Sequence, residues 1–125
     1  MTLLFDTGAF VAVERGDRDL VALVKGEHAA GRVPVTNGSV VAQVWRGGSR
    51  QAFLARFLAG VEVVAVDDEL GRRAGVLLGR AATSDAVDAS LVALATDGDE
   101  IYTGDTDDLR RLAEASGVHV ELIAV

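Results

Sequence analysis

What most constrains this chain is the character of its apolar runs. They are short, and they are apolar rather than alternating: residues 2–5, 33–35, 61–66, 100–103 and 118–125. A strand that is apolar on both faces has to be covered on both faces, which is the situation of parallel sheets sandwiched by helices. Amphipathic stretches separate the runs. One helical pattern runs from the end of the first strand through Val13, and a second covers residues 17–30. Asn37 and Ser39 are suited to cap a helix running to Trp45. Gly47-Gly48 breaks that helix, another covers residues 49–58, and Gly60 ends it. Run 61–66 is β-branched enough to predict a central strand. Asp67, Asp68 and Glu69 supply acids to the first turn of a helix reaching Arg80, where they complement the helix dipole. Ser84 is read as the cap of a helix ending near Thr96, and Thr106 as the cap of the last helix. Strands alternating with helices predict a three-layer α/β/α fold, with a central, mostly parallel sheet of about five strands. Residues 1–125 are read as one domain.

Composition narrows the function classes. With 50% hydrophobic residues but only 5% aromatic, the core is expected to consist of Val, Leu and Ala. The absence of cysteine excludes disulfides and thiolate metal sites, and a reducing cytoplasm is the expected setting. The first residues, Met1-Thr2-Leu3-Leu4-Phe5-Asp6, lack the basic and apolar regions of a secretory signal. No apolar run approaches the roughly 20 residues of a membrane span. A formal net charge of −7 argues against a broad basic face for nucleic acid. It suits a carboxylate cluster around a cation. Lys25 is the only lysine among 12 cationic residues, and arginine favours bidentate contact with phosphate.

The candidate chemistry is acidic. In open parallel sheets ligands bind beyond the carboxyl ends of the strands. Asp6 follows the first strand and Asp105 the penultimate one, so both fall at that end. Asp88 lies four residues before Val92 and seven before Ala95, on the apolar stripe of its helix, with Asp85 on the same face. A carboxylate on a buried stripe is costly unless it is paired or holds a cation. Such an all-oxygen set favours hard cations, Mg²⁺ or Mn²⁺. With only His28 and His119 and no cysteine, a zinc site is not expected.

Three strings carry a resemblance: Leu3-Leu4-Phe5-Asp6-Thr7-Gly8-Ala9, Ser84-Asp85-Ala86-Val87-Asp88-Ala89-Ser90-Leu91-Val92-Ala93, and Tyr102-Thr103-Gly104-Asp105-Thr106-Asp107-Asp108-Leu109. In order and spacing, over essentially the whole chain, they resemble PIN-domain proteins, and more narrowly the VapC-type ribonuclease toxins of bacterial toxin–antitoxin pairs. The resemblance implies that Asp6, Asp88 and Asp105 are metal ligands and that the activity is Mg²⁺- or Mn²⁺-dependent cleavage of RNA, usually tRNA or ribosomal RNA. It further implies a homodimer neutralised by a small antitoxin protein. The chain departs from the pattern at one position. Where the family usually has a glutamate, in the helix after the second strand, this chain has Gln43. An amide can coordinate or orient a water but brings no charge, and Asp85 is expected to supply the missing one. Trp45 and Arg46 follow on that helix, with Arg46 a candidate contact to RNA phosphate. The competing reading is a catalytically weakened PIN-like domain acting as an RNA- or antitoxin-binding module.

Other acid-using classes fail on particular residues. Asp6-Thr7-Gly8 also matches the loop of aspartic proteases, but that class is β-rich. A receiver domain needs a lysine near a late strand, and a haloacid-dehalogenase-type phosphatase needs a second acid where this chain has Gly8.

Overall fold

The structure is a computed structural model that describes residues 1–125. Five parallel strands form one sheet: β1 (Leu3–Phe5), β2 (Val35–Asn37), β3 (Glu62–Val64), β4 (Glu100–Thr103) and β5 (Glu121–Ala124), in the order β3-β2-β1-β4-β5. Helices α1 (Thr7–Glu14) and α2 (Arg18–Ala29) connect β1 to β2, and α3 (Gly38–Val44) and α4 (Ala52–Leu58) connect β2 to β3. Helices α5 (Asp68–Ala81) and α6 (Ala86–Val92) lead to β4, and α7 (Thr106–Ser116) leads to β5. The three-layer α/β/α architecture expected from the apolar runs is therefore the one observed.

Strand pleating divides the core in two. Leu3, Phe5 and Tyr102 pack against α1 to α4, in a cluster that includes Phe10, Val13, Leu20, Val24, Val40 and Leu54. Leu4 and Ile101 point the other way, against Ala74, Leu77, Leu91, Val92, Leu109 and Leu112 of α5 to α7. The expectation of a core without aromatics is only half met. Phe5 stacks on Phe57 and meets Phe10 and Tyr102 edge-on, so the few rings present concentrate on one face of the sheet.

Several boundaries differ from the sequence reading for local reasons. The second strand starts at Val35 rather than Val33 because Pro34 has no N–H for the ladder; its carbonyl instead accepts from Glu62. Run 61–66 shortens to β3 and lies at the sheet edge, not its centre, with Val63 and Val66 more than 40% exposed. A β-branched run fits an edge strand as well as a buried one. The helix expected over residues 49–58 opens with a 3₁₀ turn, Ser49–Gln51. The helix expected to reach Thr96 stops at Val92. Asp85 caps it in place of Ser84, and Asp105 caps α7 in place of Thr106.

The strand order reverses at β1. From there the chain steps outward through β2 and β3, then returns to place β4 on the other side of β1. The loops leaving β1 and β4 diverge at that point, where doubly wound sheets open a crevice. No helix is long and apolar enough to cross a membrane.

Candidate functional site

The residues after β1 and β4 meet at this switch point. Asp6 ends β1, is only 6% exposed, and caps α1 by accepting from the Ala9 N–H at 3.0 Å. Burial raises its pKa, and hydrogen bonds from Thr103, Ala9, Gly104 and Gly8 partly offset that. Thr103, fully buried at the end of β4, also accepts from the Asp105 N–H at 2.9 Å, so one hydroxyl sits between the two acidic loops. The loops touch backbone to backbone. A Cβ on Gly8 would stand 2.5 Å from the Gly104 nitrogen and 2.7 Å from its Cα. Glycine at position 8 is what lets the two loops close on each other.

Helices α6 and α7 bring the remaining acids. Asp85 accepts from the Asp88 N–H at 3.0 Å, and Asp105 accepts from the Asp108 N–H at 3.2 Å. Each helix therefore opens with Asp-x-x-Asp, a cap followed by an acid in the first turn. In both caps one carboxylate oxygen does the capping, which leaves the other oxygen for a ligand.

The cluster is electrostatically strained. Asp88, half-buried, has its pKa pushed up to about 7, first by burial and then by the negative charges of Asp85, Asp6 and Asp108. Asp108 is also raised, chiefly by Asp105. Five aspartates thus sense one another, and the Arg111 guanidinium offsets only part of the rise at Asp108. They do not meet at one point: no three acidic or histidine side chains stand close enough together to make a ready metal site. The donor set nonetheless fits a hard cation in kind, since it is all carboxylate oxygen and repels itself when empty. One buried side-chain polar atom lacks a hydrogen-bond partner, Nδ2 of Asn37, at the same end of β2. An unmet donor there is a place for a water or ligand oxygen.

Gln43 is also brought to the site. Thr7, the residue after Asp6, donates its hydroxyl to the Gln43 carboxamide oxygen. That contact occupies the carboxamide oxygen and leaves the N–H₂ group as a donor, on an exposed side chain that carries no charge. Arg46 is exposed, and its guanidinium bonds the carbonyls of Ala42 and Trp45, closing the end of α3. Trp45 is 39% exposed.

Sequence reasoning missed Asp108, Thr103, Thr7 and the Gly8–Gly104 contact. A signal existed for the first of these, because Asp-x-x-Asp occurs at both residue 85 and residue 105. Asp107, by contrast, pairs with Arg110 at 3.1 Å and stands apart from the cluster.

No protein-family model matches the chain, and no curated protein sequence does. A chain of VapBC2 from Rickettsia felis, solved bound to a DNA fragment from its promoter, superposes with a TM-score of 0.71 over 98% of both chains, at 13% sequence identity. The chain has a PIN-like fold. At this identity the likeness concerns the path of the backbone, so in this PIN-like fold the site stands on its own side chains.

The charge state of the cluster is directly measurable. In carboxyl-detected NMR without divalent cations, one aspartate is expected to titrate near pH 7 and to vanish from the spectrum of Asp88→Asn. If every aspartate titrates below pH 5, the acids are not close enough to interact as described.

Proposed function

We propose that this protein is a Mg²⁺- or Mn²⁺-dependent endoribonuclease, the toxin of a toxin–antitoxin pair acting in the cytoplasm on tRNA or ribosomal RNA. What supports this reading is that Asp6 and Asp105 follow the neighbouring strands β1 and β4 at the switch point and that Asp88 feels the charges of Asp85, Asp6 and Asp108. The shared fold with VapBC2 adds support for an antitoxin partner, and the homodimer rests on the sequence resemblance alone.

Asp6, Asp88 and Asp105 would hold the cation, with Asp85 adding negative charge. When bound, the cation supplies Lewis acidity at the scissile phosphate. The chain's own residues do the rest. Burial fixes the position of Asp6, and the Thr103 hydroxyl keeps Asp6 and Asp105 in register. Gln43, held by Thr7, offers its amide N–H₂ to a phosphate oxygen or to the attacking water. Asp88, whose pKa is raised by burial and by its acidic neighbours, gives up its proton as the cation binds, which makes cation affinity rise with pH through neutrality. No side-chain nucleophile is needed.

The second reading, a weakened PIN-like domain that binds RNA or antitoxin without cleaving, is favoured by one observation: Gln43 stands where a further carboxylate would complete the acidic set. Isothermal titration with Mn²⁺ separates the two. Saturable binding that Asp6→Asn removes supports the nuclease, whereas no saturable binding supports the binding module. Gln43→Glu is expected to tighten Mn²⁺ binding by roughly tenfold, the effect of one added charge interaction of about 1.4 kcal/mol in a partly buried site. Unchanged or weaker affinity would mean that position 43 does not face the cation.

A further inference from the structure

Asn37, the only asparagine in the chain, ends β2 at the carboxyl end of the sheet. Strand register fixes where it stands. Leu4 of β1 pairs with Val35 of β2 on one side and with Ile101 of β4 on the other. Two residues further along these strands come Asp6, Asn37 and Thr103. Asp6 and Asn37 both keep extended backbone, so the alternation of the strands carries on to them. The three side chains therefore form a row on the face that Leu4, Val35 and Ile101 present to α5, α6 and α7. Neighbours in such a row are roughly 4.8 Å apart, the spacing of paired strands. Helix α6, which carries Asp88, touches β2 on this face. Asn37 and Thr103 are fully buried and Asp6 nearly so.

The row is lopsided in its hydrogen bonds. On the β4 side the Thr103 hydroxyl bonds to Asp6; on the β2 side Asn37 makes no bond to it. The Asn37 amide cannot be turned over. Its Oδ1 accepts from the Ser39 N–H at 3.0 Å, the Val40 N–H at 3.2 Å and the Ser39 hydroxyl at 2.6 Å, and a flip would set donor against donor. Nδ2 is left sealed from solvent and unpaired, the one buried side-chain polar atom in that condition. Capping uses only the oxygen, as the aspartates do on α1, α2, α5, α6 and α7, so it does not account for the nitrogen. A sealed, unpaired donor weakens the folded state. We propose that Asn37 is a positioning residue for Asp6: as the carboxylates close on a divalent cation, Nδ2 donates to the flank of Asp6 that Thr103 does not hold. The proposal rests on the metal-dependent reading above. Hydrogen bonds that orient a ligand from behind in this way typically govern roughly 10- to 100-fold of metal affinity.

A single asparagine makes the test direct, because selective ¹⁵N labelling of asparagine side chains gives one N–H₂ pair. During titration of the whole protein with Mg²⁺, one proton of that pair should move downfield. It should saturate together with the backbone amides of Asp6, Asp88 and Asp105. Isothermal titration with Mn²⁺ then separates the donor from the cap. Asn37→Ser keeps a capping oxygen and drops Nδ2, whereas Asn37→Ala drops both. Both variants should bind Mn²⁺ roughly tenfold more weakly, or worse. Without cation, Asn37→Ser should melt near the parent, since losing the unpaired donor offsets the lost packing, and only Asn37→Ala should melt clearly lower. The NMR result needs no variant, so it decides the matter even if neither variant folds. Asn37 is a helix cap and nothing more if its pair stays in place while the backbone amides move, or if Asn37→Ser binds Mn²⁺ like the parent. Should neither the pair nor those amides respond, and the parent take up no Mn²⁺, the metal-dependent reading fails and this proposal falls with it.

Discussion

Replacing Asp88 with Asn is expected to abolish metal-dependent RNA cleavage while raising the melting temperature of the cation-free protein at pH 8. The two effects share one cause. Asp88 carries a charge that the empty site penalises, and a bound cation turns the same charge to use. Its folded pKa of about 7 lies above the ordinary carboxyl value of 3.8. A raised carboxyl pKa means that the folded state holds the proton more tightly than the unfolded state does. Its contribution is therefore fully present below about pH 4, is lost as pH rises towards 7, and stays lost above that. Asn is nearly isosteric, keeps the backbone N–H that the Asp85 cap uses, and never ionises. After allowance for solvent screening of a half-buried group, the gain at pH 8 is about 1–2 kcal/mol, or roughly 5 °C. At pH 4 the variant and parent should melt together. Cleavage should fall by at least about 10²–10³, the usual cost of removing a group that stabilises developing charge. A variant that loses stability at pH 8, or that cleaves like the parent, would contradict the placement of Asp88.

Gly8→Ala tests the other structural element of the site. The new Cβ would face the Gly104 backbone at 2.5 and 2.7 Å, and no rotamer change can relieve a clash with main chain. The β1–α1 and β4–α7 loops would have to part, and they carry Asp6 and Asp105. Overpacking of this kind costs about 2 kcal/mol, and a displacement near 1 Å at the site costs about 10² in rate. The reciprocal change, Gly104→Ala, places its Cβ at 3.3 Å from the Gly8 Cα and should be milder. Gly71→Ala, in the open middle of α5, should have the opposite sign and stabilise by about 0.5–1 kcal/mol. Equal melting temperatures and activities for Gly8→Ala and the parent would mean that the two loops are not held in contact.

Much of this was legible in the residues. The apolar strands announced a covered parallel sheet, and strand ends followed by Asp6 and Asp105 placed two acids correctly at its carboxyl end. Asp88 was betrayed by standing on an apolar stripe. What escaped was whatever depends on strand order. Nothing local to residues 61–66 distinguishes an edge strand from a central one, and nothing local to Asp6 or Asp105 reveals that β1 and β4 are neighbours. The glycine contact and the shared Thr103 hydroxyl exist only because of that adjacency. Capping was misjudged for a simpler reason. Ser84 and Thr106 are good caps, but the adjacent aspartates accept the same N–H groups and took the role. Those capping bonds occupy one oxygen each of Asp85 and Asp105, and a reading from spacing alone could not apportion them.

The central claim is that the carboxylates at the switch point run a metal-dependent cleavage of RNA. The most direct measurement incubates total cellular RNA with the purified protein, shown to be folded and free of partner, in Mg²⁺ or Mn²⁺, beside EDTA and Asp6→Asn controls. Discrete products that disappear in both controls are the predicted result. Intact RNA in every lane, or products that persist in EDTA or with Asp6→Asn, would contradict it.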